Sequence, residues 1–148
     1  MSTDDDVTAI AAVIARQFDS LSWRDRRGGD WDAFAADFLP GAVLVAAARP
    51  AAVQSVEAFV ARMQSLAAGE LHTLQETVLG QHIRVFGNIA IAAIGCGMVE
   101  NGAEQLPSVE MMLLVRTDGV WRIVAQAWDK VGDGRPLPDD LAGLGSSS

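Results

Sequence analysis

The sequence predicts an α+β fold, with three N-terminal helices packed on the concave face of a curved, mainly antiparallel sheet. Two observations carry this expectation. Apolar residues recur at three- and four-residue steps as far as Gly69, and after Leu71 the pattern becomes extended, broken by two-residue turns. At 148 residues the chain is long enough for one domain that folds without disulfides or a structural metal. The expected boundaries are an acidic N-terminus over 1–6, the domain over 7–131 and a Gly/Pro/Ser-rich tail over 132–148.

The first helix begins near Thr3, whose spacing to Asp6 is that of a capping box, and its apolar stripe is Val7, Ile10, Ile14, Phe18 and Leu21. Gly28-Gly29 breaks the chain, and Asp30 caps a short second helix with Trp31, Phe34 and Phe38 on one face, ended by Pro40-Gly41. Ala42–Ala46 reads as a short buried strand. A third helix after Arg49-Pro50 carries Val56, Phe59, Val60, Met63 and Leu66, and stops at Gly69. Strands then follow over 71–78, 83–86, 89–99, 109–117 and 120–128. Gly87-Asn88, Asn101-Gly102 and Asp118-Gly119 mark the reversals.

Met111-Met112-Leu113-Leu114-Val115 is apolar on both faces, where a sheet with one wet face would alternate. A second copy is the expected cover, giving a homodimer through the outer face of the sheet. The net charge is −8, the chain has one lysine, and its only basic cluster is Arg24, Arg26 and Arg27, which reads as a solvated helix end. Phosphate-backbone binding would lack its electrostatic footprint, so no nucleic-acid partner is expected. The single cysteine, Cys96, precludes an internal disulfide and fits a cytoplasmic protein. The acidic start is unlike a secretory signal, and the longest apolar run, 89–99, is too short to span a bilayer, so no membrane partner is expected.

Phe86-Gly87-Asn88-Ile89-Ala90 at a hairpin, and Asp118-Gly119-Val120-Trp121-Arg122-Ile123-Val124 opening the last strand, occur within this order of elements. Together they resemble the nuclear transport factor two-like superfamily, over about residues 7 to 131. Glu57-Ala58-Phe59-Val60-Ala61-Arg62, Gly69-Glu70-Leu71, Leu74-Gln75-Glu76 and Ala127-Trp128-Asp129 are similar to its SnoaL-like branch. The resemblance implies a cone-shaped, cystatin-like α+β barrel, usually dimeric, whose mouth holds a small apolar molecule. It implies no single reaction, since the superfamily includes cyclases, isomerases, hydrolases, dehydratases and non-catalytic modules.

Candidate site residues are polar groups on faces that should be dry. His72, Leu74, Glu76 and Val78 share one face of their strand, which would turn His72 and Glu76 inward. They lie about 13 Å apart and cannot bond each other. Glu110 sits mid-strand between apolar neighbours. Burial would raise its pKa into the range of a general acid or base, unless Arg84 or Arg122 pairs with it across the sheet. Glu76, Glu110 and His72 are therefore the catalytic candidates, and Trp31, Phe34, Gln126, Trp128 and Asp129 the pocket-lining ones. Trp31, Trp121 and Trp128 are equally suited to plain core, Trp23 to the interface, and Asp37 to the surface or the mouth.

The absence of tyrosine excludes an oxyanion hole built from a Tyr hydroxyl beside a protonated Asp, and with it a ketosteroid isomerase of that design. Two acids flanking Arg116 or Arg122 would imitate the superfamily's epoxide hydrolases. His72, His82 and Cys96 have no metal-ligand spacing and no phosphate loop occurs, so neither metal nor cofactor is assigned. Three readings stay open: a small-molecule-binding domain, an acid–base enzyme acting on a small carbonyl or hydroxyl compound, and an association module. An unpaired carboxyl inside would favour the first two.

Overall fold

The computed structural model describes residues 2–47, 50–132 and 134–143. It contains α1 (Thr3–Ser20), α2 (Trp31–Ala36), β1 (Phe38–Ala46), β2 (Gln54–Ser55), α3 (Val56–Ala68), β3 (Leu74–Phe86), β4 (Ile89–Glu100), β5 (Ala103–Glu104), β6 (Ser108–Thr117), β7 (Val120–Lys130) and α4 (Asp139–Ala142). The sheet order is β2-β1-β7-β6-β4-β3, with β5 on the far end of β4. All pairs are antiparallel except β1–β7, which is parallel and makes the curved sheet mixed. The expected α+β architecture is thus present. Among the described residues no helix is long and apolar enough to cross a membrane.

Helix α1 begins one residue earlier than its spacing suggested. Ser2 is the N-cap, its Oγ accepting from the Asp5 amide at 3.1 Å while Asp5 Oδ2 accepts from the Ser2 amide at 3.3 Å. This frees Asp6, which is buried and accepts from Arg116 Nη1 at 2.7 Å and Trp121 Nε1 at 3.2 Å. Asp6 thereby ties the first turn of the chain to the β6–β7 hairpin. The arginine cluster lies past the helix end, in a loop where Asp25 and Arg26 adopt positive φ.

Asp30 caps α2 as expected, accepting from the Ala33 amide. The helix does not run on to Pro40-Gly41, however, because residue 38 already pairs with Ile123 of β7. Pro40 and Gly41 fall at an irregularity of β1, where Gly41 takes a φ of 84°. Asp37 is buried rather than at the surface or in the mouth, and Arg16 holds it with two hydrogen bonds of 3.2 and 2.9 Å. Trp23 is likewise core and not interface: it is 5% exposed and donates from Nε1 to the Leu71 carbonyl.

The two strands expected over 71–78 and 83–86 are one, β3, bent by an irregularity between Val78 and Gly80. A second irregularity separates Leu113 from Leu114 opposite Ala125 and Ile123, leaving Val124 as the extra residue on β7. It switches the alternation of β7, so Trp121 and Ile123 before it and Gln126 after it all face the helices.

The core lies between α1, α2, α3 and the inner face, with Ile10, Ile14, Phe34, Leu44, Ile94 and Leu114 fully enclosed. The segment after Lys130, read from composition as a tail, crosses the opposite face of the sheet as far as the described residues extend. Leu141 of α4 is buried on Gly95, where an added Cβ would stand 2.0 Å from the Leu141 carbonyl oxygen. Only glycine admits that approach.

Candidate functional site

Between α3 and the inner face of β3, β4, β6 and β7 lies a cavity of about 170 Å³. Phe59, Met63, Leu66, Leu71, Met98 and Trp128 form its apolar wall. The polar groups are Glu76, Glu100, Glu110 and Gln126, with the Cys96 thiol and Ser108 hydroxyl between them and Arg62 exposed on α3. Register explains the convergence. Glu76 is opposite Met98, Cys96 opposite Ser108, and Glu110 opposite Trp128, so alternate positions of adjacent strands deliver these side chains to one face. The Glu76 amide also donates to Ser22 Oγ at 3.0 Å, which fixes this part of β3 to the loop after α1.

Glu76 and Glu110 are partly accessible because they line a cavity instead of filling the core. Among the described residues neither forms an ion pair, and neither carboxyl makes a hydrogen bond. Burial pushes the Glu76 carboxyl up to about 7, with the Glu100 carboxylate adding to the effect. Burial pushes Glu110 up to about 8, with Glu76 adding to it. The Cys96 thiol is driven well above its ordinary value, first by burial and then by Glu110 and Glu76, which makes it a poor nucleophile. Gln126 is 5% exposed, and its Oε1 is buried without a partner.

The structure therefore brings together four of the residues singled out from sequence: Glu76, Glu110, Gln126 and Trp128. The other four lie elsewhere. His72 precedes β3 and is exposed; its amide donates to Asn101 Oδ1 and its Nε2 lies 2.7 Å from Arg26 Nη2. Leu71 takes the inward place assigned to His72, since strand alternation begins only at Leu74. Trp31 packs edge-on against Trp23, with ring centroids 5.6 Å apart, and does not line this cavity. Phe34 is wholly core, stacked on Phe59 at 5.4 Å. Asp129 faces the other side of the sheet, beside Arg135, in an apolar groove of about 330 Å³ under the C-terminal segment. That groove is larger than the inner cavity, but among the described residues Glu76, Glu100 and Glu110 converge on the inner one.

The cations weighed as partners are also placed elsewhere. Arg84 is exposed on β3 and does not line the cavity, Arg116 bonds Asp6 and Asn88, and Arg122 donates to the Ala36 carbonyl. The two-acid arrangement around Arg116 or Arg122 is therefore not formed. Sequence reasoning missed Glu100, Ser108 and α3's contribution. Glu100 was legible, being in phase with Cys96 and Met98, had the strand been extended by one residue. Among the described residues, no cluster of His, Cys, Asp and Glu is arranged to hold a metal ion.

A protein family described as "Putative lumazine-binding" matches residues 5–129, most of the chain. The chain belongs to this family. Solved structures described as NTF2-like and cystatin-like share the chain's fold, in agreement with the fold that the resemblance implies. Solved structures with the same fold share little sequence. An NTF2-like protein with a cystatin-like fold from Novosphingobium aromaticivorans has a TM-score of 0.71 at 18% identity, covering 95% of this chain and 90% of that one. A protein from Streptomyces avermitilis described as a "putative dehydratase from the NTF2-like family" has a TM-score of 0.70 at 14% identity, covering 88% and 99%. An NTF2-like protein of unknown function from Pseudomonas putida gives 0.69 at 16% identity, covering 95% and 98%. At these identities the likeness is one of fold. No curated protein sequence matches the chain.

Proposed function

We propose that this lumazine-binding-like domain binds a small, largely apolar molecule in the cavity between α3 and the sheet, with Glu76, Glu110 and Gln126 as its polar anchors. The observation that carries the reading is the pair of carboxyls without cation partners. A buried polar group left unsatisfied costs about 1–3 kcal/mol, more for a charge, and a protein keeps such groups where a ligand completes them. The family's description, which names a ligand-binding role, supports the same use. A mixture of uncharged six-membered-ring fragments tests it by ligand-observed NMR. Saturable binding that a Phe59→Trp obstruction of the wall abolishes is the expected result; binding unchanged by the obstruction would place the site elsewhere.

A second reading, acid–base turnover of a small carbonyl or hydroxyl compound, is favoured by one observation. The Glu76 and Glu110 pKa values, about 7 and about 8, bracket a pH at which one carboxyl can accept a proton while the other donates. An enzyme of this kind would show a bell-shaped kcat/KM with limbs near those values, and Glu110→Gln would remove the alkaline limb.

We further propose that the protein is a cytoplasmic homodimer formed through the outer face of the sheet. There the C-terminal segment leaves Ile91 54%, Met111 60% and Leu113 42% exposed, on adjacent strands with Ile91 opposite Leu113. An apolar patch of this kind favours a self-complementary contact. Sedimentation of the wild type as a dimer, and of Leu113→Lys as a folded monomer, is the expected outcome; a wild-type monomer at micromolar concentration would exclude the interface.

A further inference from the structure

Carboxyl oxygens without cation partners and an amide oxygen without a donor dominate the polar lining of the cavity, and this narrows the ligand class. Glu76 on β3, Glu100 on β4 and Glu110 on β6 surround one space, near enough for Glu76 to feel Glu100 and Glu110 to feel Glu76. The remaining titratable groups facing it are the Cys96 thiol, which burial keeps protonated, and the Arg62 guanidinium, which is exposed on α3. Independently of the carboxyls, the Gln126 amide is buried at the cavity wall with its oxygen unpartnered. Among the described residues Arg62 forms no ion pair with these carboxyls, so the inward groups left to be answered are three carboxyls and one amide oxygen, which call for a positively charged N–H donor.

A bare metal ion is not the fit, because among the described residues no three of these side chains approach closely enough to hold one. An ammonium group carried on an apolar body satisfies both parts of the lining. It sets N–H donors against the carboxylates and the Gln126 oxygen, and a hydrocarbon ring against Phe59, Met63, Leu71, Met98 and Trp128. The space suffices for one six-membered ring, since an apolar cavity of about 150 Å³ accommodates benzene. We infer that the cavity is selective for small hydrophobic amines, bound as ammonium ions between Glu76 and Glu110. The inference rests on the ligand-binding reading above and adds the chemical class.

Cyclohexylamine, cyclohexanol and cyclohexanecarboxylate provide the test, being alike in shape and different in charge. Binding to the full chain is followed through the methionine methyl and tryptophan indole NMR signals. An alkyl amine stays protonated to about pH 10, as lysine does, while the two carboxyls ionise below that. Cyclohexylamine is therefore expected to bind at pH 8.5 at least tenfold more tightly than cyclohexanol, and to weaken about tenfold by pH 6. Glu110→Gln is expected to lower the amine-to-alcohol affinity ratio at pH 8.5. If cyclohexanol or cyclohexanecarboxylate binds as tightly as the amine, the amine inference is overturned and the ligand-binding reading stands. If none of the three perturbs the Met63, Met98 or Trp128 signals, both fail together.

Discussion

Glu110→Gln is expected to make the protein more stable above pH 8, by about 2–4 kcal/mol, while changing little below pH 5. The sign follows from which state holds the proton. The Glu110 carboxyl lies near 8 in the native protein and near the ordinary glutamate value when unfolded, so between these the native state binds more protons. Stability then falls as pH rises, by about 1.4 kcal/mol per pH unit while the native state alone keeps the proton. Above pH 8 the ionised carboxyl is held in the cavity at full cost. The magnitude is set below the full linkage value because water at the cavity mouth screens part of the charge. Glutamine keeps the shape and cannot ionise. Calorimetric melting from pH 5 to 9 measures the effect: the wild-type Tm should decline across this range and the Glu110→Gln Tm should decline less. Equal slopes would mean that Glu110 titrates normally.

Phe34→Ala is expected to destabilise the protein by about 3–5 kcal/mol, the usual cost of emptying an enclosed aromatic site. Phe34 is fully buried, stacked on Phe59 and tilted against Phe38 with centroids 5.1 Å apart. Its carbonyl accepts from Gln17 Nε2, so the residue joins α1, α2, α3 and β1. Phe59 in turn meets Trp128 edge-on at 5.8 Å, across the cavity wall. Loss of Phe34 should therefore loosen the wall as well as the core, and ligand affinity should fall although residue 34 touches no ligand. Urea unfolding gives the stability change. Phe34→Leu, which keeps most of the volume, should cost less than half as much.

Much of this arrangement was legible in the sequence because it depends on local periodicity. The helices announced themselves through apolar stripes and the Asp30 cap, and the hairpins through Gly87-Asn88 and Asp118-Gly119. The inward placement of Glu76 was readable because the irregularity of β3 falls after it, beyond Val78. Gln126 and Trp128 could be grouped from alternation, but not assigned to the same face as Trp121 and Ile123, because the extra residue Val124 has no sequence signature. His72 was misplaced because alternation was extended two residues before the strand begins, into a loop held by the Asn101 side chain. The C-terminal segment was opaque for a different reason. Its docking depends on a single buried leucine meeting two glycines far away in sequence, Gly95 and Gly80, and composition does not encode such a contact.

The claim on which the functional account turns is that two carboxyls face a common cavity without cation partners. Carbon-detected NMR titration of the glutamate carboxyls, assigned with Glu76→Gln and Glu110→Gln, measures this directly. Glu76 is expected to titrate near 7 and Glu110 near 8. Titration of both near 4 would mean that each is solvated or paired in solution, and would contradict the claim.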